Sequence, residues 1–241
     1  MRALSNADFL TLWGNGHRLH PVDRALLAIR ASLPEDPDSR ITDEPVADWT
    51  LGRRNRTLAE LRTLYFGPRL EGWTTCSQCG EKLEFEVDCR TLAQTHEETS
   101  SQPIAIRGST FRLPTSRDLA RIAGETDPQQ AALLLLQYCT VNVPARDISD
   151  WSESEIEEVA EKMALADPLA EISLGFECPV CHHTSEEILD LSSFLWAEIE
   201  TRAKRLLVQI HALASSYGWA ESAILAMSDV RRAAYLQMVQ A

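Results

Sequence analysis

A repeated cysteine pair, Cys76-Ser-Gln-Cys79 and Cys178-Pro-Val-Cys181, constrains this chain more than any other feature. One C-x-x-C turn aims two sulfurs at a single point, and two such turns complete a tetrahedral thiolate site for a metal ion. The flanks suit such turns. Gly80 is free to take positive φ, and Pro179 stiffens the second pair. The 98 residues between Cys79 and Cys178 far exceed the ~15–20 of a compact ribbon, so further structure must lie inside the loop they close. Cys89 and Cys139 stand alone and read as bystanders, Cys139 as a small core residue.

The pairs begin a near-repeat. Shifted by 102 positions, Cys76 and Cys79 fall on Cys178 and Cys181, and Asp88 falls on Asp190. Leu83, Phe85 and Val87 alternate with charge as a half-buried strand does, and Ile188, Leu189 and Leu191 are a blurred version of it. Each unit reads as knuckle, short strand, then helix start. Together they predict one structural Zn2+ held by Cys76, Cys79, Cys178 and Cys181, with all four positions filled and none left for water. His182 and His183 are expected beside the site, and spacing alone leaves open whether either replaces a cysteine. His96-Glu97-Glu98 has the His-x-Glu form of zinc deaminases. The Pro-Cys-x-x-Cys partner of that motif is missing, because the proline stands inside the second pair. Thioredoxin-like use of a single C-x-x-C lacks its strand-to-helix context.

The chain carries 36 acidic against 23 basic side chains, a formal charge of −13. Nucleic-acid binding needs cations to displace counterions, so the balance argues for protein partners instead. The longest apolar run, Ala131 to Leu136, is far short of the ~20 residues of a membrane span. Asp8 interrupts any apolar signal core, which predicts a chain that stays in the cytoplasm. No Gly-x-Ser-x-Gly, phosphate-cradling loop or His-Glu-x-x-His is present, and the reading is of a non-enzyme.

The pattern predicts a mainly α fold with small β elements: a helical body with a split, zinc-ribbon-like four-cysteine site made from two knuckle-strand halves. Four regions follow. Residues 1–70 form an N-terminal helical region, with helices capped by Ser5 or Asn6, opened by Pro21, and running from Leu51 to Phe66 with Leu58, Leu61, Leu64 and Tyr65 inward. Pro34 opens a loop. Arg53, Arg54, Arg56 and Arg62 read as a solvated face, or else as a site for an acidic partner. Residues 71–93 hold the first knuckle half. Residues 103–170 hold a hairpin around Arg107-Gly108-Ser109 and helices started by Thr115, by Asp127-Pro128 and by Asp150 or Ser152. The second of these looks apolar all round and hence buried. Residues 171–241 hold the second knuckle half and the C-terminal helices. The longest carries the stripe Leu195, Ile199, Leu206, Ile210, Leu213 and Tyr217, and the last carries Val230, Ala234, Tyr235 and Met238.

Phe176-Glu-Cys178-Pro-Val-Cys181-His-His and Phe194-Leu-Trp196 resemble the T4-type phage baseplate protein family. So do His211 through Leu225, Leu225 through Leu236, and Phe111-Arg-Leu-Pro114-Thr115, a likeness covering about residues 100 to 241. The first knuckle, preceded by Leu51-Gly-Arg53-Arg54 and Leu58, looks like a version found beside contractile injection-system genes. The resemblance implies a non-enzymatic, zinc-stabilised factor that docks onto baseplate or hub subunits of a contractile tail or injection system. The rival reading is a zinc-ribbon regulator that binds nucleic acid through the Arg53, Arg54, Arg56 and Arg62 helix. Against it stand Glu71, Glu81, Glu84, Glu177, Glu186 and Glu187 around the knuckles.

Overall fold

The computed structural model describes residues 1–34, 45–94, 103–142 and 147–240. The loop after Pro34 and the polar segment holding His96-Glu97-Glu98 lie outside the described residues. The chain divides into two compact units, Met1–Asp36 with Ser192–Ala241, and Pro37–Leu191. The fold is mainly helical, and its strands, among the described residues, form three two-stranded antiparallel sheets.

Helix α1 (Asn6–Gly16) starts at a capping box, in which the Ser5 hydroxyl accepts from the Asp8 N–H and the Asp8 carboxylate accepts from the Ser5 N–H. Helix α2 (Pro21–Ser32) has proline at its first turn, where no N–H is missed. Helix α3 (Leu51–Phe66) runs from its Thr50 cap to Gly67, whose φ of 88° ends it. A hairpin, β1 (Arg69–Thr75) and β2 (Lys82–Asp88), leads into the short α4 (Cys89–Gln94). A second hairpin, β3 (Ile104–Ile106) and β4 (Ser109–Phe111), turns at Arg107-Gly108, both at positive φ. Then come α5 (Ser116–Ile122), α6 (Pro128–Cys139) and α7 (Glu153–Ala166), and a third hairpin, β5 (Ser173–Glu177) and β6 (Thr184–Ile188). The chain closes with α8 (Leu191–Tyr217), α9 (Glu221–Leu225) and α10 (Asp229–Gln240).

In the second unit, Ile106, Phe111, Leu113, Leu136, Cys139, Ile148, Trp151, Val159 and Met163 form one core. Phe111 meets Trp151 edge-on at 5.8 Å. Helix α6 departs from its expected burial: only Leu136 and Cys139 are buried, and the rest of its leucine run is half-buried. The arginine face of α3 is also corrected. Arg54 is 8 % exposed and Arg62 only 4 %, because each donates inward, Arg54 to Asn55 Oδ1 at 3.0 and 3.1 Å and Arg62 to the Gly67 carbonyl at 2.6 Å. Leu64, expected inward, is exposed.

In the unit built from both termini, the α8 stripe is buried from Leu195 through Leu213, while Tyr217 is exposed and stacks on Trp219 at 4.5 Å. Helix α10 is rotated from its expected phase: Val230 is 82 % and Met238 66 % exposed, and Ala234 is exposed as well. The cause is Arg232, 4 % exposed, which donates to Gln209, to the Met227 carbonyl and to Asp229, and turns Tyr235, Leu236 and Val239 toward the core.

Candidate metal centre

Each cysteine pair sits at the tip of a hairpin, so a strand precedes each knuckle as well as following it. The sequence reading missed these leading strands. Gly72 of β1 and Gly175 of β5 dilute the strand signal. The two tips superpose in hydrogen bonding at the 102-residue offset. Gly80 N–H donates to the Cys76 carbonyl and His182 N–H to the Cys178 carbonyl, both at 2.9 Å. Cys76 N–H donates to Glu81 and Cys178 N–H to His183, at 2.8 and 2.9 Å. Thr75 pairs with Lys82, and Glu177 with Thr184. The fifth position of each turn is left-handed, with φ of 76° at Gly80 and 56° at His182.

The turns bring all four predicted sulfurs within 4.8 Å of one another, close enough to hold a metal ion. Cys76 and Cys181 are 3.6 Å apart and Cys79 and Cys178 3.5 Å. A tetrahedron of thiolates at about 2.3 Å from a central ion has edges of about 3.8 Å, so the donor set fits such an ion. These separations are far from the ~2.05 Å of a disulfide. Cys76 and Cys178 are buried against Leu83 and Phe176, Cys181 is half-buried and Cys79 exposed. The N–H groups of Cys79 and Gln78 pull the Cys76 thiol down to about 6. Cys79 is pushed up to about 12: the Glu81 N–H pulls it down, but burial and the sulfurs of Cys178, Cys181 and Cys76 outweigh that. The Cys181 thiol is also pushed up, so Cys76 ionises readily while Cys79 and Cys181 resist.

The histidines flank the cluster and face other partners. His183 Nε2 lies 3.1 Å from the Ser77 hydroxyl, joining the two tips, and His182 Nδ1 lies 3.4 Å from Glu177. Deeper in, Phe85 meets Phe176 edge-on at 5.9 Å. Gly72 permits this, since a Cβ there would come within 2.4 Å of the Phe85 ring.

A second set of positioning residues carried no signal in the sequence. The Asp167 carboxylate accepts from the Gly52 N–H at 2.9 Å, at the start of α3, and is 1 % exposed. The Asn55 amide donates to the carbonyls of Leu169 and Ala170 at 2.7 and 3.3 Å. Arg54 also donates to Ser116 at 3.4 Å, and burial pulls its guanidinium below its ordinary value. These bonds hold the base of α3 against the segment that leads into β5.

A family model described as T4 bacteriophage base plate protein matches residues 41–196, more than half of the chain. No curated protein and no solved structure matches. The matched stretch takes in both knuckles, and it differs in extent from the likeness read at about residues 100 to 241. It includes the Leu51 to Phe66 helix and the first cysteine pair, and ends before the His211 to Leu236 stretches. The chain therefore belongs to the T4 bacteriophage base plate protein family.

Proposed function

We propose that this protein is a non-enzymatic component or assembly factor of the baseplate of a phage tail or contractile injection system, docking onto baseplate or hub subunits. One observation carries the reading: the family match takes in all six cysteines and nearly all of the unit that bears them. The protein would act in the cytoplasm of a bacterial or phage-infected cell, at or in a tail-like particle. Among the described residues, no helix is long and apolar enough to cross a membrane.

Cys76, Cys79, Cys178 and Cys181 would hold one structural zinc ion, making the paired hairpins two halves of a split ribbon. An all-thiolate tetrahedral set suits zinc, and four protein ligands leave no position for a reacting water. Bound zinc would supply four metal–thiolate bonds across a loop of about a hundred residues. Elemental analysis of the purified chain should find one zinc per chain. Iron in its place would overturn the zinc assignment.

Co-expression with the baseplate and hub proteins of its own gene cluster should recover a stoichiometric complex. Failure to bind any of them would overturn the docking role. The burial of Arg54 and Arg62 removes half of the basic face on which a nucleic-acid reading rested. Micromolar DNA binding that weakens steeply with salt would reinstate it.

A further inference from the structure

Two sulfur contacts cross from one C-x-x-C turn to the other. They run between hairpins, Cys79 to Cys178 at 3.5 Å and Cys76 to Cys181 at 3.6 Å, and each joins a buried thiol to one solvent reaches. Cys89 and Cys139 are fully buried elsewhere, so neither competes. We propose that the cluster is a redox-sensitive clip: in the metal-free chain, peroxide converts the four thiols to two disulfides that cross between the hairpins, Cys79–Cys178 and Cys76–Cys181. The hairpins then stay tied under oxidising conditions that would strip a thiolate site of its metal.

The chemistry balances. In either pair, the sulfur that has lost its proton attacks one oxygen of hydrogen peroxide, and that proton goes to the departing oxygen. The O–O bond breaks, leaving a sulfenic acid and one water. The partner sulfur then attacks the sulfenic sulfur and displaces the hydroxyl, which leaves as a second water with the partner's proton. Two thiols lose two electrons and one peroxide gains them. A second peroxide does the same for the other pair. Each closure needs the sulfurs to approach by about 1.5 Å, a side-chain movement at the hairpin tips.

The proposal relies on the metal reading only to explain why four thiols converge. The link pattern is read separately. The full-length chain would be analysed for metal first, then treated with hydrogen peroxide and EDTA, quenched with N-ethylmaleimide and mapped by mass spectrometry without reduction. Reactive thiols in the denatured product should fall from six to two, leaving Cys89 and Cys139. Both Cys79–Cys178 and Cys76–Cys181 should appear. Links within the turns, Cys76–Cys79 and Cys178–Cys181, or sulfinic acids in place of links, would overturn the proposal even if zinc were found.

Paired variants guard against a misfolded mutant. Cys76→Ser with Cys181→Ser keeps the Cys79–Cys178 pair and should form that link readily. Cys79→Ser with Cys181→Ser leaves Cys76 and Cys178, and should link far more slowly. Equal rates in the two variants would overturn the proposal.

Discussion

The stretch from α3 to the first knuckle is tied to the stretch from α7 to the second knuckle in two places, by opposite kinds of chemistry. At one end, four sulfurs gather on the tips of two hairpins, three of the four lying buried or half-buried. At the other, Gly52, Arg54 and Asn55 meet Asp167, Leu169, Ala170 and Ser116 through hydrogen bonds sealed from water. Both ties span more than a hundred residues, as Cys76 to Cys181 and Gly52 to Asp167. On the metal reading proposed above, the first is complete only when an ion binds the thiolates together. The second is complete with the chain alone. On this comparison, metal loss should loosen the tips while the base holds.

Metal removal tests the comparison with the largest expected effect. Structural zinc contributes an apparent ~10–16 kcal/mol in finger peptides. Here the base tie and the Phe111 core retain part of the unit. A strong chelator, or Cys178→Ser, should lower Tm by more than about 10 °C. Hydrogen exchange should rise over 69–88 and 173–188 and change little over 104–166. Uniform loss of protection throughout 45–191 would show that the base tie cannot stand without the clip.

The base tie is most exposed to a methyl group at Gly52. A Cβ there would lie 1.7 Å from Asp167 Oδ1, so Gly52→Ala must expel the carboxylate and break its bond to the α3 N-terminus. Overpacking and a lost charge-assisted hydrogen bond together predict a cost of about 3 kcal/mol, read by urea denaturation with metal bound. If that cost vanishes in the metal-loaded protein, the clip alone carries the connection.

Sequence made the two ties unequally legible. The cysteine tie announces itself, because a metal site needs a fixed residue type at fixed spacing, and the Gly80 turn follows from the same requirement. The base tie joins a glycine, an asparagine and an aspartate over more than a hundred positions, and no local period marks such a pairing. Helices α3 and α7 were legible from their caps and stops, since those are local rules. The phase of α10 was not. It is set by where a single buried guanidinium finds acceptors, and Arg232 outweighs Val230 and Met238. Arg54 and Arg62 repeat that lesson on α3.

Acid should weaken the base before it reaches the Phe111 core. Asp118, fully buried, caps α5 and pairs with Arg112 at 2.6 and 2.8 Å. Burial raises its carboxyl, but Arg112 and the Thr115 N–H and hydroxyl outweigh this and hold it below the ordinary range. A depressed folded value means stability that is full above the unfolded value of about 3.9 and lost as pH falls through the folded one. Asp118→Asn should therefore cost about 2 kcal/mol at neutral pH and progressively less as the pH falls below about 3.9. Since protons also displace metal from thiolates, the titration belongs in the metal-free Cys178→Ser chain. An unchanged acid slope in Asp118→Asn would place the sensitivity elsewhere.

The smallest effect separates the two knuckles themselves. Both turns need a left-handed residue at the same step, and only the first uses glycine there. A side chain in that region costs about 1–2 kcal/mol for most residues, less for those whose polar groups bond locally, and His182 Nδ1 lies 3.4 Å from Glu177. Gly80→Ala should then cost about 1 kcal/mol, while His182→Gly should gain a few tenths and never lose more than about 0.5 kcal/mol. Chemical denaturation of the metal-loaded chain can resolve the difference in sign. If His182→Gly loses as much as Gly80→Ala, the histidine does more at the second tip than fill a turn, and its bond to Glu177 is the first place to look.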